Sequence, residues 1–253
     1  MRTLWASLVG LALVGSAAVA QQNPGTLAAL EFQTPKNGMV AQYENGRKQK
    51  AAWHKQQNDP QSLLVWEIMS GPSTGTYIVG REGQHWADFD KPPISDEADL
   101  AEYNKEIGQY VASVVARYYE FMPKVSQMTL KDSPTRFAEI NIYNVKMGHE
   151  SQFQTAISRV NEAIQKTKWG AGSAGWYRLV NGGAFGEYVL VIPHKNWADF
   201  EDKPNVKPFW DMVKEGLGPE ESESLMQMFD SAVAGGTSEI IEFRPDLSYL
   251  PGK

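Results

Sequence analysis

Trp86-Ala87-Asp88-Phe89-Asp90-Lys91-Pro92 returns 111 residues later as Trp197-Ala198-Asp199-Phe200-Glu201-Asp202-Lys203-Pro204. A match of this length in rare residue types does not arise by chance, and self-similarity at a fixed offset is the signature of a repeated structural unit. The match runs outward from this segment. Gly75-Thr76-Tyr77-Ile78-Val79 lines up with Gly186-Glu187-Tyr188-Val189-Leu190, and Val65-Trp66-Glu67 with Trp176-Tyr177-Arg178, at the same offset. At an offset of 110, Lys36, Gly38, Gln42 and Tyr43 meet Lys146, Gly148, Gln152 and Phe153. The sequence therefore predicts two copies of one unit, at 27–134 and 135–249.

Each copy reads strand, helix, strand, strand, helix, strand. In the second, Phe137 to Val145 alternates apolar and polar residues and predicts a strand. Phe153, Ile157, Val160 and Ile164 keep helical spacing. Two strands, 174–180 and 187–192, flank the hairpin signal Asn181-Gly182-Gly183. Pro219 opens a helix with Glu220 and Glu221 beside its positive end, and 238–243 closes the unit. In the first copy, Leu100, Tyr103, Ile107, Tyr110, Val111, Val114 and Tyr118 predict one amphipathic helix. The order βαββαβ is the ferredoxin-like unit, whose helices cover one sheet face and leave the other bare. Two such units can bury their bare faces against each other. The expected class is α+β: two tandem ferredoxin-like units packed as a single-chain pseudo-dimeric α/β barrel.

On this element order, and on the Trp-x-Asp-Phe segment after the third strand (Trp86 to Phe89, Trp197 to Phe200), the mature chain resembles the dimeric α/β-barrel superfamily. That superfamily includes antibiotic-biosynthesis-monooxygenase-like and NIPSNAP-like domains. The resemblance implies a fold shared by cofactor-free oxygenases, haem enzymes and proteins of no known activity, so fold alone selects no function.

The ends and the composition narrow the classes. Arg2, the apolar run from Leu4 to Val14 and the small-x-small site Ala18-Val19-Ala20 predict a signal peptide over 1–20. The protein is expected to be exported, periplasmic or secreted, without stable membrane insertion. The absence of cysteine excludes disulfides, thiolate metal sites and a cysteine nucleophile. A net charge of -6, spread along the chain, argues against nucleic acid as a partner. Gly170-Ala171-Gly172-Ser173-Ala174-Gly175 satisfies G-x-G-x-x-G, but a helix precedes it and a strand follows, the inverse of a dinucleotide loop. His149-Glu150 lacks the second histidine of a zincin helix, and His54, His85, His149 and His194 show no ligand spacing, so no metal is expected. Repetition itself assigns Trp86 and Trp197 to packing.

The informative positions are those where the copies differ. Glu67 corresponds to Arg178. If their strand faces point into the barrel, a carboxylate and a guanidinium enter one aromatic cavity with Trp176, Tyr77 and Tyr188, and pair or hold a polar substrate group. The other reading is a rim position in water or a structural bridge. Arg47, Lys50 and His54 stand where the second copy has Ile157, Val160 and Ile164. The bland account there is long stems passing a core edge. Taken together, the expectation is an exported small-molecule-binding protein with an aromatic-lined barrel cavity and a small apolar or aromatic ligand. It needs no cofactor, a homodimer stays open, and any chemistry is cofactor-free and monooxygenase-like, with Glu67 or His85 as base. Two alternatives stand beside it. One is a haem enzyme of chlorite-dismutase-like architecture, with His54, His149 or His194 as axial ligand. The other is a non-enzymatic envelope protein whose barrel is a packed core.

Overall fold

The computed structural model describes residues 25–130, 134–170, 172–201 and 203–252; the expected signal segment lies outside them. The first part of the chain forms β1 (Leu27–Pro35), α1 (Val40–Gln56), β2 (Leu64–Ile68), β3 (Tyr77–Gln84), α2 (Asp96–Glu106) and β4 (Val111–Phe121). The second forms β5 (Phe137–Val145), α3 (Glu150–Thr167), β6 (Gly175–Asn181), β7 (Glu187–His194), α4 (Phe209–Leu217), α5 (Pro219–Ala232) and β8 (Val233–Phe243). Trp86 and Trp197 each open a short 3-10 turn directly after β3 and β7.

The eight strands close into one antiparallel barrel in the order β1-β3-β2-β8-β5-β7-β6-β4. Strands from 27–121 lie side by side as β4-β1-β3-β2, and those from 137–243 as β8-β5-β7-β6. Two seams join the groups: Trp66, Glu67 and Ile68 pair with Phe243, Glu242 and Ile241, and Tyr118 to Phe121 pair with Asn181 to Tyr177. The two inner hairpins keep one register, Trp66 opposite Ile78 and Tyr177 opposite Val189.

Side chains alternate across a strand, so each strand serves two layers. Ala28, Trp66, Ile68, Ile78, Tyr119, Phe121, Ala138, Ile140, Tyr177, Val189 and Ile241 point into the lumen. On the outer face Val65, Tyr77 and Val79 pack with Tyr43 of α1, and Val145 and Tyr188 with Phe153 and Ile157 of α3. The helix layers differ. Ala156 and Ala163 of α3 lock against Met212 and Val213 of α4 and Leu225 of α5, whereas α2 buries no residue. No helix among the described residues is long and apolar enough to cross a membrane.

Three sequence expectations are corrected. The helix expected through Tyr118 stops at Glu106, and Val111 to Phe121 is a strand paired along the whole of β1. Val111, Val114 and Val115 favour the pleated conformation, and the β1 ladder overrides a helical spacing that the aromatic residues happen to satisfy. The closing strand begins at Val233 rather than 238. A further helix, α4, lies ahead of Pro219, with Gly218 at φ 91° breaking it from α5.

Phe153 is fully buried, its ring centroid 4.7 Å from that of Tyr188, 5.3 Å from Phe229 and 5.7 Å from Trp176. Phe153→Ala is expected to cost about 3–5 kcal/mol of unfolding free energy, read by urea denaturation.

Candidate functional site

The lumen holds a cavity of about 240 Å³ with mostly apolar walls: Leu30, Phe32, Trp66, Ile78, Ile140, Ile142, Val189, Val191 and Ile241. Its polar groups are few. On β3 alternation points Ile78, Gly80 and Glu82 inward; Leu30 crosses in front of Gly80, where a Cβ would come 2.7 Å from its Cδ2. Glu82 is half-buried and lines the cavity. The Tyr177 hydroxyl, reaching over from β6, donates to Glu82 Oε1 at 3.0 Å. Burial pushes the Glu82 carboxyl above the ordinary carboxylate range, against the pull of the Tyr177 hydrogen bond. Burial, then the charge of Glu82, raises the Tyr177 hydroxyl well above its usual value.

A second polar group pairs its charges within itself, although Arg117 Nε has no hydrogen-bond partner. Tyr119 donates to Glu187 Oε1 at 2.6 Å, and Arg117 Nη1 lies 3.3 Å from the same oxygen. The guanidinium of Arg117 sits 5.0 Å from the Phe32 ring centroid. Here a cation balances the carboxylate; the Glu82–Tyr177 pair has no such cation among its hydrogen-bond partners.

The residues singled out from sequence lie elsewhere. Glu67 faces outward and accepts from Arg244 Nη1 at 2.7 Å, and Tyr77, on the same face, donates to Glu44 at 2.8 Å. Trp176 packs outward against Tyr143 and Phe153, and Tyr188 accepts from Gln154 at 2.6 Å. Arg178 is exposed and pairs with Glu120, its cross-strand neighbour. β2 and β6 form opposite walls of the barrel, so Glu67 and Arg178 share no cavity. The expected register was off by one residue. Leu64, Val65, Trp66 and Ile68 make both faces of β2 apolar, so alternation alone could not say which face is the lumen. His85 stands at the head of the turn after β3, its backbone N–H donating to Asp88 at 2.7 Å. Three other histidines lie outside the lumen. His54 holds Asp59 at 2.9 Å, His149 meets Gln152 at 2.8 Å, and His194 stacks on Phe200 with centroids 3.9 Å apart. Among the described residues no three His, Asp or Glu side chains gather closely enough to hold a metal ion.

Sequence reasoning missed Glu82 and Tyr177, although a signal was present. At the offset of 111, Glu82 meets Pro193 and Tyr177 meets Trp66, so the pair occurs once.

No protein-family model and no curated protein matches the chain. Solved structures do. A Lactobacillus acidophilus protein proposed to be a monooxygenase aligns with a TM-score of 0.53 and 9% identity over 91% of this chain and 98% of that one. An anthrone oxidase-like protein aligns with a TM-score of 0.52 and 12% identity over 92% and 95%. A Fusobacterium nucleatum protein, also proposed to be a monooxygenase, aligns with a TM-score of 0.50 and 11% identity over 88% and 94%. The likeness shows a shared α+β barrel fold.

A carboxyl raised in the folded state binds its proton more tightly there than in the unfolded chain. Folding stability therefore falls as pH climbs from the ordinary carboxylate range through the folded-state value. Glu82→Gln removes that loss. It is expected to melt higher than wild type at about pH 8 and level with it at about pH 4, by thermal scans across the range.

Proposed function

We propose that the chain is a tandem duplication of one βαββαβ unit, exported through its first 20 residues, whose barrel lumen binds one small planar molecule. The molecule is largely apolar and carries a hydroxyl or carbonyl group that meets Glu82 and Tyr177. The observation that carries the reading is the Glu82–Tyr177 pair on the wall of a mostly apolar cavity that Glu239 and Tyr119 also line, with Trp66 and Pro193 at the places equivalent to the pair. A cavity of about 240 Å³ suits a bicyclic ring system, below the usual range for larger ligands.

The same pair supports proton chemistry without a cofactor. A raised carboxyl is matched to proton exchange nearer neutral pH than an ordinary one. In its ionised form Glu82 takes a proton from the O–H or activated C–H of the bound molecule. Once protonated, Glu82 no longer needs the Tyr177 hydrogen bond, and the Tyr177 hydroxyl turns to the oxygen that has become negative. Monooxygenase-like chemistry of the kind proposed for the structural neighbours would begin with such a deprotonation.

The test uses 2-naphthol as probe, followed by calorimetry. Wild type is expected to bind it. Ile140→Trp, which fills the lumen, should weaken binding at least about tenfold, and Glu82→Gln or Tyr177→Phe about three- to tenfold. Glu67→Gln and Arg178→Met should leave it unchanged. Wild-type affinity in Ile140→Trp would remove the lumen as the site.

A further inference from the structure

We infer that the cleft between α1 and α2 is a second binding site, for an organic anion with an aromatic or aliphatic body. It lies on the outside of the barrel and does not rest on the reading of the lumen. The inward face of α1 is polar, yet Arg47, Lys50 and His54 are only 3%, 2% and 1% exposed. Ile157, Val160 and Ile164 hold the corresponding places on α3, beneath the closed layer of α4 and α5. Over α1 that layer is thinner, with α2 alone in it. α2 buries nothing, and a cleft of about 560 Å³ opens between it and the outer face of β1, β3 and β4.

Of the cations that line the cleft only Arg47 has no carboxylate partner, and the carboxylates Glu31, Asp88 and Asp96 line it too. Lys50 Nζ lies 2.9 Å from Asp99 Oδ1 and donates to the Asp99 carbonyl at 2.6 Å. Asp59 is taken by His54 at 2.9 Å and Arg81 at 2.8 Å. His54 Nε2 stands 3.5 Å from Asp99 Oδ1 but makes no hydrogen bond. Arg47 has only neutral partners: Nε donates to the Tyr43 hydroxyl at 3.1 Å and Nη2 to Gln33 Oε1. Among the described residues no carboxylate oxygen lies within 4.0 Å of its guanidinium. Glu31, which lines the same cleft, accepts from Gln33 at 2.5 Å.

A buried cation without an anion is costly, and a planar guanidinium presents paired donors that match a carboxylate. Arg47 borders the cleft together with Phe89, Leu100, Tyr103 and Tyr118. Phe89 and Leu100 are exposed, and the Phe89 and Tyr118 rings stand 5.6 Å apart. The cleft thus offers the Arg47 guanidinium beside Phe89, Leu100, Tyr103 and Tyr118, the complement of an aryl or alkyl carboxylate whose anionic end keeps to Arg47 and away from Asp88 and Asp96.

The experiment compares 2-naphthoate with its neutral analogue 2-naphthamide by calorimetry on the full mature chain. Naphthoate is expected to bind at least about tenfold more tightly. Arg47→Met should bring it down to the naphthamide level while leaving the melting temperature of the free protein unchanged or higher. Arg47→Lys, which keeps the charge and loses the fork, should fall between them and serves if the methionine variant does not fold. Ile140→Trp should leave naphthoate binding intact. Equal affinity for acid and amide, or wild-type binding in both Arg47 variants, overturns the site. Loss of naphthoate binding in Ile140→Trp with no effect of Arg47 would place the acid in the lumen instead.

Discussion

Closure of the barrel depends on two short seams, β2 with β8 and β4 with β6. Only three residue pairs join the first and four the second, yet they bring the strands of 27–121 and those of 137–243 into one sheet. The inward side chains are mostly apolar, so an open sheet would leave them in water. Closing it buries the inner face and leaves the helices to cover the outer one. Each seam carries an outward ion pair. Glu67 accepts from Arg244, whose backbone N–H also bonds the Val65 carbonyl at 2.8 Å, and Arg178 meets Glu120 directly across the β4–β6 ladder. Burial works against the Arg244 charge, but the hydrogen bonds it donates to Glu44, Asp246 and Glu67 outweigh it and hold the group above its ordinary value. The two residues that looked like opposite halves of a binding site are instead one clamp at each seam.

The seams also set the chemistry of the lumen. Tyr177 reaches Glu82 because the β4–β6 pairing places it beside Phe121, with ring centroids 5.2 Å apart, and facing inward. A slip of one residue would turn Tyr177 toward the helices and bring Arg178 inside, where a charge without a partner is strongly disfavoured. The register that keeps Arg178 in water is the register that leaves Glu82 with a single neutral partner. A carboxyl so placed is held toward its protonated form by burial, whereas Glu187, with Arg117 and Tyr119 around it, has its charge balanced.

The helix layers show how similar sequence patterns diverge in packing. Around α3 every inward position is apolar, and α4 and α5 fill the space. Around α1 the inward positions at the same spacing carry Tyr43, Arg47, Lys50 and His54, and α2 stands off. Gly46 is where the two helices touch, since a Cβ there would come 2.1 Å from the Glu106 carbonyl oxygen. A close backbone approach at the end of α2 and the polar contacts of Asp99 with Lys50, with no fully buried residue on α2, make a cleft rather than a core.

The sequence match at an offset of 111 was legible without coordinates. Trp86 and Trp197 indeed open matching turns, and Tyr77 and Tyr188 take matching places under α1 and α3. Strand β5 could be read residue for residue because its polar positions alternate cleanly. The α+β class followed from element order alone. Tertiary structure decided what periodicity leaves degenerate. Residues 111–121 satisfy a helical stripe and a β pattern at once, and pairing with β1 chose the strand. β2 has apolar residues on both faces, and seam pairing chose Trp66 and Ile68 for the lumen, which turned Glu67 out and left Glu82 of β3 and Tyr177 of β6 to meet inside. Local sequence sets the period of a strand, but which face is the inside depends on neighbours more than a hundred residues away.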